Sequence, residues 1–250
     1  MSGRIHTFDN IRPGKIKTDI CVVGSGCGGS TVARKLQQQG YQVTIVEQGG
    51  YYPTDSFDNN ELNMAGKVSA DRNMMTSNDG SFNLLSGDNV GGASVHYWAD
   101  SYRTPDDRLE LWAKQYGVRG HGPQDLKPAF DELDIRLNVH PAKDEYLNPM
   151  NRLLEKAAAK LGWKGHRVPQ ARKNCQKSGH CMQGCAFGAK QSQLVTHIED
   201  FVAAGGELYA DTRAKQLEFS GNRVKTLRCA IMDRPQAKES GKFVEIEARA

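Results

Sequence analysis

Residues 20–49 constrain this chain more than any other stretch. Ile20-Cys21-Val22-Val23 is an apolar run short enough for a buried parallel strand, and Gly24-Ser25-Gly26-Cys27-Gly28-Gly29 follows without a gap. Val32, Ala33 and Leu36 then fall on one face of a helix that stops at Gly40, and residues 41–46 read as a second strand ending at Glu47. Strand, glycine loop, helix, strand and acid, in that order, form a dinucleotide-binding unit. Gly24 permits the tight turn, Gly26 lets the backbone approach a pyrophosphate, and Gly28 is expected where the helix packs on the strand. The first helical turn offers unpaired N–H groups and a positive dipole end to phosphates. Glu47 lies about twenty residues past the loop, where a carboxylate can accept ribose hydroxyls. The competing reading is a helix–strand turn whose glycines serve packing alone.

The motif by itself does not separate NAD from FAD. After Glu47-Gln48 the chain passes through Gly49-Gly50-Tyr51-Tyr52-Pro53 into a polar stretch, 54–88, with few apolar runs. A nicotinamide-type half would continue strand, helix, strand, so the pattern leans toward FAD.

A chain of 250 residues with 38% hydrophobic and 25% charged residues fits one large globular domain or two modest ones. No apolar run approaches a membrane span, and residues 1–17 lack an apolar signal core, so a cytoplasmic protein is expected, periplasmic only if a partner subunit carries it. The net charge of +4 is modest. Lys160, Lys164, Arg167, Arg172, Lys173 and Lys177 read as a solvated face or as counter-charge to nearby thiolates rather than a nucleic-acid patch. The chain reaches Ala250 in what reads as a strand, 243–250, with no closing turn, and is expected to be the first part of a longer enzyme.

Further along, Gly91-Gly92-Ala93-Ser94 precedes Val95-His96-Tyr97-Trp98: either a backbone that can lie along a flat ligand or a tight turn feeding a strand. Thr104-Pro105-Asp106-Asp107 starts a helix with Leu109, Trp112 and Tyr116 inward and Gly117 as its stop. A second helix, 125–137, has Leu126, Phe130, Leu133 and Leu137 inside. A third starts at Asn148-Pro149, with Met150, Leu153, Leu154, Ala157 and Leu161 apolar and Gly162 as its stop. A fourth, 192–204, carries Val195, Ile198 and Val202 inside. The period then changes to two, giving strands 207–211, 213–219 and 223–232 with a hairpin turn at Ser220-Gly221-Asn222. Both ends therefore build one nucleotide-binding domain, 1–100 with 193–250, around an insertion at 101–192.

Three of the six cysteines, Cys175, Cys181 and Cys185, cluster in a loop rich in glycine and polar residues. Thiolates at that density point to a metal, either a three-iron cluster or, with His180, a Cys3His zinc set; the alternatives are reduced structural thiols and a disulfide, the latter disfavoured without a signal peptide. Cys21 and Cys229 read as strand core, and Cys27 lends its backbone to the phosphate loop.

Taken together these segments resemble the glucose–methanol–choline (GMC) oxidoreductases. Asp19-Ile20-Cys21-Val22-Val23-Gly24-Ser25-Gly26 and Val43-Thr44-Ile45-Val46-Glu47-Gln48-Gly49 are similar to that family's opening. Residues 90–98 resemble its second glycine element, which lies along the flavin and its pyrophosphate. Thr212-Arg213-Ala214 is similar to the strand whose backbone meets the adenine, with Ala214 where a valine is usual. Residues 181–192 resemble a segment of the bacterial dehydrogenase and long-chain alcohol oxidase branches.

The resemblance implies an α/β, Rossmann-like FAD-binding fold with a largely helical insertion and a C-terminal β-meander. It implies FAD held by Gly24, Ser25, Gly26, Cys27, Gly28, Gly29, Glu47, Gln48, Gly91, Gly92, Ser94, His96 and Ala214. It implies oxidation of a CH–OH group of an alcohol, sugar or sterol-like substrate by hydride transfer to flavin. In the dehydrogenase branch a Cys-x5-Cys-x3-Cys set holds a 3Fe–4S cluster that passes electrons to a cytochrome; Cys175, Cys181 and Cys185 match that spacing. The alternatives are an oxidase using oxygen, with structural or zinc-bound cysteines, and a cofactor-binding fragment that is inactive alone. The family's catalytic base lies beyond residue 250, and none of His96, His121, His140, His166, His180 or His197 matches it, so no catalytic residue is assigned.

Overall fold

A computed structural model describes residues 3–249. The chain divides into two compact units: Met1–Trp98, His180–Gly188 and Ser192–Ala250 form the first, Ala99–Gly179 and Ala189–Gln191 the second.

The first unit is built on a parallel sheet. Its strands are β1 (Arg4–His6), β3 (Ile20–Val23), β4 (Val43–Val46) and β7 (Glu207–Tyr209), in the order β1-β7-β4-β3. β3 pairs with β4 from Ile20↔Val43 to Val23↔Val46, and α1 (Cys27–Gln38) makes the crossover between them. β4 is wholly buried, and its alternating side chains serve two cores. Val43 and Ile45 join Ala33 of α1 and Ile198 and Phe201 of α6 (His197–Ala203). Val46 faces the other way, into Leu227, Cys229, Ile231, Val244 and Ile246. Those residues belong to a second sheet, ordered β2-β10-β9-β8, in which β8 (Thr212–Ser220), β9 (Arg223–Asp233) and β10 (Lys238–Ala248) form an antiparallel meander and β2 (Gly14–Thr18) adds in parallel to β10. Helices cover one face of the parallel sheet and the meander the other. Burying one such aliphatic side chain contributes about 1.5–3 kcal/mol.

The α/β fold and the meander agree with the sequence reading, but several elements differ. β1 lies within residues 1–17 and β2 almost entirely so, a polar stretch where no strand is expected; each is short and completes a sheet edge, so tertiary pairing supplies what composition does not. Likewise α2 (Glu61–Val68) lies in the polar stretch 54–88, capped by the Asn60 side chain, which accepts from Asn63 N at 3.1 Å. On α1, Ala33 is buried but Val32 is half exposed; the inner face runs through Ser30 instead. Gly92–Val95 is a 3₁₀ turn, and no strand follows it. The fourth helix is a 3₁₀ turn, Gln193–Val195, before α6. Ala250, to which the last strand was expected to run, lies outside the described residues, as do Met1 and Ser2.

The second unit holds α3 (Asp106–Tyr116), α4 (Pro123–Arg136), α5 (Pro149–Lys160) and a two-stranded sheet of β5 (Val139–Pro141) and β6 (Pro169–Ala171). Gly117 closes α3 in the left-handed conformation and Asn148 caps α5, accepting from Asn151 N at 2.8 Å. The inward face expected for α3 is only partly buried, and the apolar stripe of α5 is exposed. Leu109 is buried, but Tyr116 is 68% exposed, and Met150, Leu153, Leu154 and Leu161 are 62–72% exposed. A helical period shows that a stripe exists, not that this chain covers it.

Candidate dinucleotide site

The site lies at the carboxyl ends of β3 and β4, where open parallel sheets hold their ligands. Gly24 N donates to Val46 O at 2.8 Å, which pins the start of the loop to the end of β4. α1 begins at Cys27 with Gly26 at its N-cap. No side chain caps it, and no acid stands in its first turn. Its leading N–H groups and roughly half a positive charge are thus left for an anion.

Gly29, not Gly28, carries the close packing. A Cβ on Gly29 would stand 2.0 Å from Gly24 O and 3.3 Å from a Val22 methyl, whereas one on Gly28 meets nothing within 4 Å. The third glycine of a G-x-G-x-x-G count is Gly29, so spacing alone could have found it. Gly26 also has open space around its Cα hydrogens on that measure.

Glu47 is buried, and the chain itself orients its carboxylate. Oε2 accepts from Ser25 N at 2.9 Å and Ser25 Oγ at 2.8 Å, and Oε1 accepts from Gly49 N at 2.8 Å. A carboxylate has about four acceptor sites, so one further donor fits on Oε1. Glu47 N donates to Tyr209 O, and Thr212 N to Glu47 O, which joins the acid to the start of β8.

The second glycine segment comes to the first. Gly91 N donates to Ser25 Oγ at 3.0 Å. Since Gly91 N supplies a proton to that oxygen, the hydroxyl's own proton goes to Glu47. Gly92, at φ +58°, would place a Cβ 2.9 Å from the Cα of Gly26, so only glycine fits there. Ser94 Oγ donates to Gly91 O at 2.7 Å, and His96, buried, follows the turn. Gln48 and Ala214 stand nearer the surface: Gln48 Oε1 accepts from Arg213 Nε at 3.3 Å, and Ala214 pairs with Cys229 in the meander. Behind them Arg234 donates to Asp211 and Asp88, each at 2.8 Å, and to Gln48 O. Burial works against its charge, but the two carboxylates outweigh that and raise its pKa.

Three further polar residues belong to this site, and the sequence reading omits them. Gln193 N donates to Ser94 Oγ at 2.9 Å, Ser30 Oγ lies 2.8 Å from Gln193 Oε1, and Asn89 Nδ2 donates to Val68 O at 2.6 Å. The one available signal is Ser30, a polar residue on the inner face of α1 beside the buried Ala33. The Cys27 thiol is raised by the protein around it and partly lowered again by its own backbone and by Gln193.

The cysteine trio is distributed differently. Cys181 and Cys185 lie in the first unit and Cys175 in the second. Cys175 Sγ accepts from Lys177 N at 3.4 Å and Arg172 Nη1 at 3.8 Å, while Cys181 opens a 3₁₀ turn that ends with Gly184 against the Phe57 ring. None of the six cysteines is in a disulfide, and among the described residues no three His, Cys, Asp or Glu side chains gather as a metal ion would require.

Parallel strands, glycine loop and strand-end acid define a dinucleotide-binding α/β fold. A family model described as GMC oxidoreductase matches residues 18–249, and the chain belongs to that family. It is 30% identical over 240 residues to the long-chain-alcohol oxidase FAO4B of Arabidopsis thaliana, covering 94% of this chain and 32% of that protein. Among solved structures it superposes on pyridoxine 4-oxidase from Mesorbium loti with a TM-score of 0.68 at 19% identity, covering 93% of this chain and 48% of that one. Formate oxidase of Aspergillus oryzae RIB40, from a study of FAD modification, gives 0.64 at 14% identity, with coverages of 95% and 45%. The chain therefore spans about a third of that alcohol oxidase and about half of each of the two structures. Among the described residues no helix is long and apolar enough to cross a membrane.

Proposed function

We propose that this chain is the FAD-binding part of an oxidoreductase acting on the CH–OH group of an alcohol or sterol-like substrate. The observation that carries the reading is the meeting of the two glycine segments beside a buried, oriented Glu47. When bound, the flavin supplies the hydride acceptor. This chain's residues do the holding. The open N-terminus of α1 takes the diphosphate, Gly26 and Gly92 keep side chains out of its path, and Glu47 Oε1 accepts a ribose hydroxyl. The backbone around Ala214 lies where the adenine is expected. His96, Gln48 and Cys27 are placed in the same crevice by this reading. No residue here is assigned the substrate proton.

Family membership and a relative named for long-chain alcohols support the substrate class. That relative's name, with three thiols that do not gather, supports oxygen as electron acceptor over an iron–sulfur relay. The 3Fe–4S cluster and a cytochrome or small-subunit partner rest on the Cys-x5-Cys-x3-Cys spacing, and no step is routed through them. Six cysteines without a disulfide are in keeping with a cytoplasmic setting.

Purified protein reconstituted with FAD is expected to show a flavin absorbance band that survives gel filtration, with neither iron nor zinc by elemental analysis. Stoichiometric iron with a three-iron paramagnetic signal would restore the relay. Absence of flavin binding by the folded chain would remove the function.

A further inference from the structure

We propose that Gln193 is a positioning residue that clasps the two glycine segments together and thereby sets the grip on the flavin dinucleotide. This rests on the FAD reading above. Gln193 is 5% exposed and belongs to neither glycine segment, yet it touches both sides of the crevice. Its backbone N–H donates to Ser94 Oγ at 2.9 Å, and Ser94 donates on to Gly91 O at 2.7 Å. Its side-chain amide meets Ser30 Oγ at 2.8 Å on the wall of α1. Ser30 Oγ also lies 2.8 Å from Gly26 O.

A hydroxyl has one proton, and two carbonyl oxygens compete for it. The Ser30 proton is shared between Gln193 Oε1 and Gly26 O, which leaves the Gln193 amide N–H turned toward the Cys27 thiol. The path closes through Gly91 N, Ser25 Oγ and Glu47, so Gly91 is held by both its N–H and its C=O. Ser25 and Ser30 are wholly buried, and Ser94 is 8% exposed, so water does not compete for these bonds.

The clasp fixes a distance that glycine alone cannot. Gly92 lies so near Gly26 that a Cβ on it would stand 2.9 Å from the Gly26 Cα, and neither glycine has a side chain to lock the approach. Without Gln193 the second segment keeps its bond to Ser25 but loses its tie to α1, and Gly92 is free to shift over the diphosphate path.

The test uses the whole chain with FAD as probe. Gln193→Leu, Ser94→Ala and Ser94→Thr are compared with the parent in FAD dissociation constant, visible circular dichroism of bound flavin, and urea midpoint of the apo-protein. Gln193→Leu and Ser94→Ala should each weaken FAD at least tenfold and alter the flavin dichroism, with apo-protein midpoints near the parent's, and Ser94→Thr should restore the grip. Parent-like affinity and dichroism in both defective variants would overturn the clasp. Should Gln193→Leu fail to fold, the serine pair decides: loss in the alanine variant with rescue by threonine supports it, and parent-like binding by Ser94→Ala overturns it. A parent that binds no FAD removes the function reading itself, a result distinct from either.

Discussion

Glu47 shows how much one side chain does here. It ends a buried strand, holds Ser25 and Gly49, and keeps one acceptor site in reserve. Glu47→Ala leaves those donors unpaired and removes the ribose contact. FAD affinity should drop by about 1.5–3 kcal/mol, the worth of a charge-assisted hydrogen bond, as read by flavin fluorescence titration. Two thiols make a second residue-scale prediction. Burial pushes Cys21 up to about 11, and burial with the neighbouring Cys21 pushes Cys229 up to about 12. Both are harder to ionise folded than unfolded, so their contribution is whole below the unfolded thiol pKa of about 8.5 and is lost as pH rises through the folded values. The urea midpoint should decline between about pH 9 and 11, and Cys229→Ala should make that decline shallower; an identical slope would contradict it. At this scale Glu47 was legible because an acid at the end of an apolar strand is conspicuous. Gln193 and Ser30 were not, because their meaning depends on a contact between residues 163 positions apart.

At the scale of elements, the βαβ unit rests on one close approach. Gly29→Ala forces a methyl into Gly24 O and should cost about 1–3 kcal/mol in a thermal or urea melt. Gly28→Ala meets open space and, by helix propensity, should change apo-protein stability by less than about 1 kcal/mol. Equal losses at the two positions would mean the helix does not sit on its strand as described. The long periodic elements, α1, α3, α4, α5 and the meander, were readable because their periodicity repeats over several turns or strands. β1, β2 and α2 were hidden in polar sequence: three to eight residues carry too few apolar positions to show a period, and a sheet edge or a cap decides them. α3 marks the opposite error, a correct period whose inward face is only partly buried, with Leu109 covered and Tyr116 exposed.

At the largest scale, that of the first unit, the buried strand β4 sends side chains into two cores, with helices beyond one face of its sheet and the meander beyond the other, and the glycine segments meet at its carboxyl end. Ile45, fully buried within the helix-side core, is a suitable probe of that arrangement: Ile45→Ala should cost about 2–5 kcal/mol in urea, with α1 and its phosphate end loosened together. The most direct test of the account is titration of the folded chain with FAD, followed by flavin fluorescence, alongside Glu47→Ala. Saturable one-to-one binding that weakens at least tenfold in the variant is the predicted result. A folded chain that leaves FAD fluorescence unchanged, or a variant that binds as the parent does, would contradict it.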